Sequence, residues 1–370
     1  MKKLTQFNTI ILVMLLACLW LGLQTGQSQN KAYMEEEVTF KNGDVTLAGT
    51  LTLPKTKGKH PAIILISGSG AQNRDEDILG FKIFEKVADH LSSKGIAVLR
   101  YDDRGMGKST GSVPNSTSED FANDVLAGVK LLEKRSDINP QQIGLFGHSE
   151  GGMVAPLAYQ KYPKIAFWIS MAGTTVSGGD IIWRQTEAML KAAGKTEAEI
   201  ADQKKRSMLM IETAKANKGW DKLKNGLVEY VIKEIEKLPK AQRDMITDPK
   251  VYATNVIDQQ LKAVKTPWYR FFVGHDPTAS LESSKCPVLA IFGEKDLQVL
   301  PGQNKPALEK ALKKAGNKDY TIKVLNDANH LFQKAKTGMP TEYASLPKEF
   351  VPDFLPTISD WLLKRVTTIK

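Results

Sequence analysis

The stretch Ile143-Gly-Leu-Phe-Gly147-His148-Ser149-Glu150-Gly151-Gly152 decides how the rest of the chain is read. A short apolar run leads into a serine with a glycine two positions away on each side, and residues 153–159 then carry a helical pattern. This is the G-x-S-x-G spacing of a nucleophile elbow. A serine hydroxyl becomes a useful nucleophile only when it stands clear of the backbone, beside a base and beside hydrogen-bond donors. A strand that turns abruptly into a helix puts Ser149 at the tip of such a turn. Gly147 and Gly151 leave room for the close strand–helix approach, where a Cβ would collide. The pentapeptide occurs by chance in unrelated chains, so the flanking pattern has to carry the reading.

Working outward, residues 37–40 and 45–53 read as two strands joined by the turn Asn42-Gly43. Residues 61–66 and 96–99 are continuous apolar runs, as expected of strands buried on both faces of a parallel sheet. Amphipathic helices are expected over 78–93 and 118–135, the latter capped by Ser118, and a further strand over 165–171. After a long interruption the pattern resumes with a strand at 287–292, a helix at 304–315, a strand at 320–325 and a closing helix at 351–366. Alternating buried strands and helices imply an α/β fold: a mostly parallel, doubly wound sheet with a hairpin at its start. Right-handed crossovers align the strand C-termini along one edge, where ligands bind in such sheets.

The interruption spans 178–266. Strands vanish there, and helices are expected over 180–193, 197–217, 220–238 and 256–264, dense in lysine. We read the segment as a helical cap over the sheet edge, dividing the core into 29–177 and 267–370. Such a lid controls substrate access and excludes water.

A serine nucleophile needs a base to take its proton and a carboxylate to hold that base in the right tautomer. Downstream strand ends supply both: Asp296 after the 287–292 strand and His330 after the 320–325 strand. His275 is the alternative base. Glu294 and Asp327 compete with Asp296, but Glu294 lies in the turn directly after Gly293, and Asp327 is too near His330 to come from a different strand loop. His60, His90 and His148 read as surface or packing residues, His148 pointing away from the serine beside it. Two backbone N–H groups are needed for the developing oxyanion. Glu150, the residue after the nucleophile, supplies one. Ser69, or next Gly70, in the Ser67-Gly-Ser-Gly70 loop supplies the other. No lysine follows in P-loop spacing, which excludes a phosphate cradle. Arg104 and Glu150 are a candidate ion pair, and Trp183, Trp268, Tyr269, Phe271 and Phe272 are candidates to line an acyl pocket.

Composition is ordinary for a globular chain of 370 residues with 25% charged side chains. Lys2 and Lys3, followed by an apolar run over 10–23 and a polar stretch to Asn30, form a secretory signal peptide pattern, with cleavage expected after Ser28. The mature chain is then secreted or periplasmic, and its net charge falls from +10 to about +8. The run is short for a membrane span. Leu15-Leu16-Ala17-Cys18 resembles a lipobox, yet Leu19-Trp20-Leu21 continues the apolar run where a lipoprotein turns polar. Cys286 is the one cysteine left after processing, so no intramolecular disulfide forms. The histidines are dispersed rather than set at ligand spacing, so neither a metal nor another cofactor is implied. The lysines lack aromatic interleaving, which argues against a nucleic-acid partner.

Five segments resemble the secreted bacterial carboxylesterases of the α/β-hydrolase fold, bordering on the serine aminopeptidase branch. They are Gly-Ser-Gly-x-x-x-Arg-Asp at 68–75, Asp-Asp-Arg-Gly-x-Gly-x-Ser at 102–109, Gly-His-Ser-Glu-Gly-Gly at 147–152, Gly-Glu-Lys-Asp-x-Gln-Val at 293–299 and Asn-His-Leu-Phe-Gln at 329–333. The resemblance implies Ser149 as nucleophile, Asp296 and His330 as its partners, and small esters of short acyl chains as substrates. Ala71 and Asn73 depart from the Pro and Asp expected around Gln72. An aminopeptidase, acyl-peptide hydrolase or thioester hydrolase would use the same triad. A peptidase would also need an acidic anchor for the substrate amine, for which Glu150 or Glu187 is available. A silent binding protein on the same scaffold would lack a triad member, and none is missing.

Overall fold

The computed structural model describes residues 32–366; the expected signal peptide and the Cys18 lipobox lie outside the described residues. An eight-stranded sheet has the order β1-β2-β6-β3-β7-β8-β9-β10. β1 (Tyr33–Asn42) and β2 (Val45–Pro54) form an antiparallel hairpin across Asn42 and Val45. β2 pairs antiparallel with β6 (Ala97–Tyr101). All later pairings are parallel, through β3 (His60–Ile66), β7 (Ile138–His148), β8 (Trp168–Met171), β9 (Val288–Gly293) and β10 (Tyr320–Leu325). This is the α/β-hydrolase architecture.

Period-two geometry splits each buried strand between two cores. Ile64 and Ile66 of β3 join Leu99, Leu145 and the helices α2 (Ser118–Glu133) and α3 (Gly151–Lys161) on one face. Ile63 and Leu65 join Val98, Phe146 and α1 (Ile83–Ser92) on the other, with α12 (Phe354–Val366), which follows α11 (Pro301–Lys314) in the chain, closing that layer. Each such side chain contributes about 1.5–3 kcal/mol on burial, enough to offset the roughly 1–2 kcal/mol of backbone ordering per residue. A run apolar on both faces can therefore persist as a central strand.

Local chemistry moves some element ends. The helix expected from residue 78 starts at Ile83, because Leu79 and Gly80 both adopt positive φ (54° and 82°). They form the two-residue turn of a minimal hairpin, β4 (Asp77–Ile78) with β5 (Phe81–Lys82). The cap of α2 is Thr117, in a reciprocal capping box with Asp120, and Ser118 is left free for another role.

The insertion between β8 and β9 is helical throughout: α4 (Gly178–Ala192), α5 (Glu197–Ala216), α6 (Trp220–Glu236), the short α7 (Lys240–Arg243) and α8 (Pro249–Val264). It runs past residue 266. Thr266 accepts a hydrogen bond from Tyr269 N–H and starts α9 (Pro267–Gly274) with proline at its first position, and α10 (Thr278–Glu282) follows. Among the described residues no helix is long and apolar enough to cross a membrane.

Candidate active site

β7 passes into α3 through two residues, Ser149 and Glu150. Ser149 has φ +54°, a region that favours glycine and costs a side-chain-bearing residue about 1–3 kcal/mol. Three backbone hydrogen bonds hold it there. Its N–H donates to Met171 O at 2.9 Å, and its carbonyl accepts from Gly152 N at 3.0 Å and Thr174 N at 3.2 Å. The glycines are there for space. A Cβ on Gly147 would lie 2.0 Å from the Gly151 carbonyl oxygen, and one on Gly151 would lie 2.3 Å from that of Ile66.

The β9 and β10 loops bring Asp296 and His330 together. His330 Nδ1 lies 2.8 Å from Asp296 Oδ2, and both residues are buried. The other carboxylate oxygen, Oδ1, accepts from Gln298 N at 2.7 Å and Val299 N at 2.9 Å, so the carboxylate has only one way to face. Asn329 folds the His330 loop by accepting from Leu331 N and Gln333 N, each at 2.9 Å. The His330 ring lies against that of His148, with centroids 4.8 Å apart, and so stands next to the elbow. Among the described residues Ser149 Oγ makes no hydrogen bond to His330; such contacts commonly tighten only with substrate bound. Glu294 accepts from Asp327 N at 2.9 Å and Asp327 pairs with Lys295 at 2.8 Å, so both competing carboxylates brace the loop instead. His275, the alternative base, stacks on Phe271 at the C-terminal end of α9.

The loop after β3 faces the elbow. Ser69 Oγ donates to Glu150 Oε2 at 2.9 Å, which ties together the two residues expected to form the oxyanion hole. Among the described residues neither Ser69 N–H nor Glu150 N–H has a protein acceptor. The segments 68–75 and 102–109, separate in sequence, lock onto each other. Arg74 makes a two-pronged contact with Asp102, Asp75 pairs with Arg100, and Asp103 accepts from Ser67 Oγ and Gln72 N. Burial pushes the Asp103 carboxyl well above its ordinary value, with the charges of Glu76 and Glu150 adding to the effect.

Glu150 does not pair with Arg104. The guanidinium turns to the buried Asp124, with Nε 2.6 Å from Oδ2 and Nη2 2.8 Å from Oδ1. Glu150 is 2% exposed and takes only neutral donors: Ser118 Oγ at 2.7 Å, Ser69 Oγ at 2.9 Å and Trp268 Nε1 at 3.0 Å. Burial raises its carboxyl, and those three hydrogen bonds partly oppose the rise. Trp268 is therefore the aromatic that links the helical insertion to the elbow. Phe272 stacks on it at 5.9 Å, Tyr269 is buried beside it, and Trp183 lies under Lys204 elsewhere in the insertion.

Sequence reasoning missed two residues here. His148, expected to be a surface or packing residue, makes hydrogen bonds inside the site. It is buried, with Nδ1 2.8 Å from Glu76 Oε1 and Nε2 3.2 Å from the His330 carbonyl. Glu76, fully buried at φ +46°, sits in no recognised pattern; the nearest signal was its position directly after Arg74-Asp75.

The family model described as serine aminopeptidase, S33, matches residues 81–334. Esterase EstD of Thermotoga maritima is 26% identical over 337 residues, spanning 90% of this chain and 69% of that one. Among solved structures, the Pyrococcus furiosus esterase Pf2001 superposes with a TM-score of 0.54 at 16% identity, covering 93% of this chain and 96% of its own. The α/β hydrolase GrgF from Penicillium sp. sh18 gives a TM-score of 0.54 at 18% identity, covering 90% and 99%. At these identities the two structures speak for the fold.

Proposed function

The chain belongs to the serine aminopeptidase S33 family of hydrolases, and from that premise we propose that it is a serine carboxylesterase acting on short-chain acyl esters. The observation that carries the reading is the buried Asp296–His330 pair standing beside the Ser149 elbow. Ser149 Oγ attacks the ester carbonyl carbon while His330 Nε2 takes its proton, and Asp296 stabilises the resulting imidazolium. The oxyanion of the tetrahedral intermediate accepts from the N–H groups of Ser69 and Glu150. His330 then protonates the leaving alkoxide and the alcohol departs. Water, deprotonated by the same ring, releases the acid from the acyl-enzyme and restores Ser149.

The sequence likeness to Esterase EstD supports ester chemistry. We read the insertion as a cap, because Trp268 on it donates to Glu150, the residue directly after the nucleophile. The family's description raises the aminopeptidase alternative. The two carboxylates considered as amine anchors are both occupied, Glu150 by Ser69, Ser118 and Trp268, and Glu187 by Arg184 and Lys191. We place the mature enzyme outside the cytoplasm on the pattern of residues 1–28; a native N-terminus at Gln29 by mass spectrometry is the expected result, and a lipid-modified Cys18 overturns it.

The test is a hydrolysis profile over acyl esters of increasing chain length beside aminoacyl amides. Preference for two- to four-carbon acyl esters, lost in Ser149→Ala, is expected. Preference for the amides moves the enzyme to peptidase chemistry, and turnover surviving in Ser149→Ala removes the nucleophile assignment.

A further inference from the structure

We propose that Glu76 and His148 act as a second carboxylate–imidazole pair, a positioning pair that ties the oxyanion loop and the His330 loop to the elbow. The inference rests on the reading of Ser149, Asp296 and His330 as the triad. Neither residue touches the reacting atoms in that scheme.

Glu76 is costly where it sits. Its carboxylate is fully buried, Oε2 has no hydrogen-bond partner among the described residues, and its backbone adopts φ +46°, where glycine would be at ease. A glycine would serve the turn better, so what glutamate adds is the carboxylate. Oε1 accepts from two donors: Gly68 N at 2.7 Å and His148 Nδ1 at 2.8 Å. The first bond sets the residue directly before Ser69. The second reaches the residue directly before Ser149. Gly68 is packed between them, since a Cβ placed on it would lie 3.2 Å from both Glu76 Oε1 and Ser149 Cβ.

His148 carries the connection onward. Its Nε2 lies 3.2 Å from the carbonyl oxygen of His330, and its ring lies against the His330 ring. Nε2 faces a carbonyl oxygen, which can only accept, and Nδ1 faces the Glu76 oxygen that already accepts from Gly68 N, so both ring nitrogens of His148 stand as donors. The ring is then an imidazolium paired with a buried carboxylate. Burial works against that charge, but Glu76 and the His330 carbonyl outweigh it, with Asp296 adding a smaller attraction, and the imidazole is held above its ordinary value. One charge pair thus fixes three backbone segments that must keep register during turnover: the loop carrying Ser69, the elbow and the loop carrying the base.

The proposal has two readouts. Nitrogen-15 NMR of the wild-type protein at pH 7, with the His148 signals assigned by difference against His148→Gln, should show both ring nitrogens protonated. A neutral ring overturns the pair, and this measurement needs no active variant. Glu76→Gln keeps the size and the acceptor for Gly68 N–H while removing the charge. It should lower kcat on p-nitrophenyl acetate about 10–100-fold, the usual cost of losing an outer positioning partner, with KM within about threefold. His148→Gln should do the same, and the double variant should fall no further than the singles, as residues acting as one unit do. Wild-type kcat in folded Glu76→Gln, or additive losses in the double variant, overturns the proposal. Failure of the triad reading looks different: Ser149→Ala would then retain turnover while the histidine spectrum still reports the pair.

Discussion

Replacing Asp296 with asparagine isolates the electrostatic part of the proposed mechanism from its architecture. The substitution keeps the side chain's volume and one oxygen. That oxygen has a determined place, because Gln298 N and Val299 N both point at Oδ1 at 2.7 and 2.9 Å. The new amide nitrogen must then take the position of Oδ2, 2.8 Å from His330 Nδ1. A donor now faces the ring, so His330 keeps its proton on Nε2, the nitrogen that has to accept from Ser149. Turning the amide over restores the tautomer but sets an NH2 group against two backbone N–H groups. At about 1–3 kcal/mol for each buried donor left unpaired, the flip costs about 2–6 kcal/mol. The imidazolium of the transition state also loses its carboxylate, and the comparable change in a known triad lowers kcat about 10⁴-fold. We therefore expect kcat on p-nitrophenyl acetate to fall about 10³–10⁴-fold, or about 4–5.5 kcal/mol of transition-state stabilisation. The melting temperature should stay within a few degrees, since packing and both backbone hydrogen bonds survive. A folded variant within tenfold of wild-type kcat would refute the tautomer argument and the role given to Asp296.

Three further outcomes follow from contacts around the elbow. Gly147→Ala forces a Cβ to within 2.0 Å of the Gly151 backbone oxygen, and overpacking against backbone should cost at least about 3 kcal/mol, measured by chemical denaturation. Arg104→Ala leaves Asp124 buried without its cation and should cost about 3–5 kcal/mol in the same assay; a loss under 1 kcal/mol would mean the pair is not buried as described. Glu150, whose carboxyl burial raises above its ordinary 4.5, holds its proton more tightly folded than unfolded. Its contribution is fully present below that value and is lost as pH rises through the folded one. The stability of Glu150→Gln relative to wild type should therefore increase as pH climbs from 4 to 8, and a flat or falling difference contradicts the burial argument.

Much of this was legible in the sequence because short-range rules decide it. An apolar run such as 61–66 bounded by turn residues reads as a buried strand, and G-x-S-x-G set between such a run and a helical pattern reads as a tight strand–helix turn. The strand ends bearing Asp296 and His330 follow from the same alternation. What stayed hidden depends on partners far apart in the chain. Glu76 and His148 are 72 residues apart, and no periodicity says that a glutamate in a positive-φ turn will meet the histidine of the elbow. Arg104 seemed free to reach Glu150, but Asp124, on the buried face of α2, offers both oxygens to the guanidinium. Helices continue past residue 266 for a local reason: Thr266-Pro267, which could end a helix, serves as the cap and first residue of the next.

The central claim is that Ser149 is the activated nucleophile, and active-site labelling tests it most directly. The mature protein is treated with a fluorophosphonate probe, digested and mapped by mass spectrometry. The account predicts one adduct, on the peptide carrying Ser149, abolished in Ser149→Ala and slowed in Asp296→Asn. No adduct, or an adduct on a different residue that persists in Ser149→Ala, would contradict it.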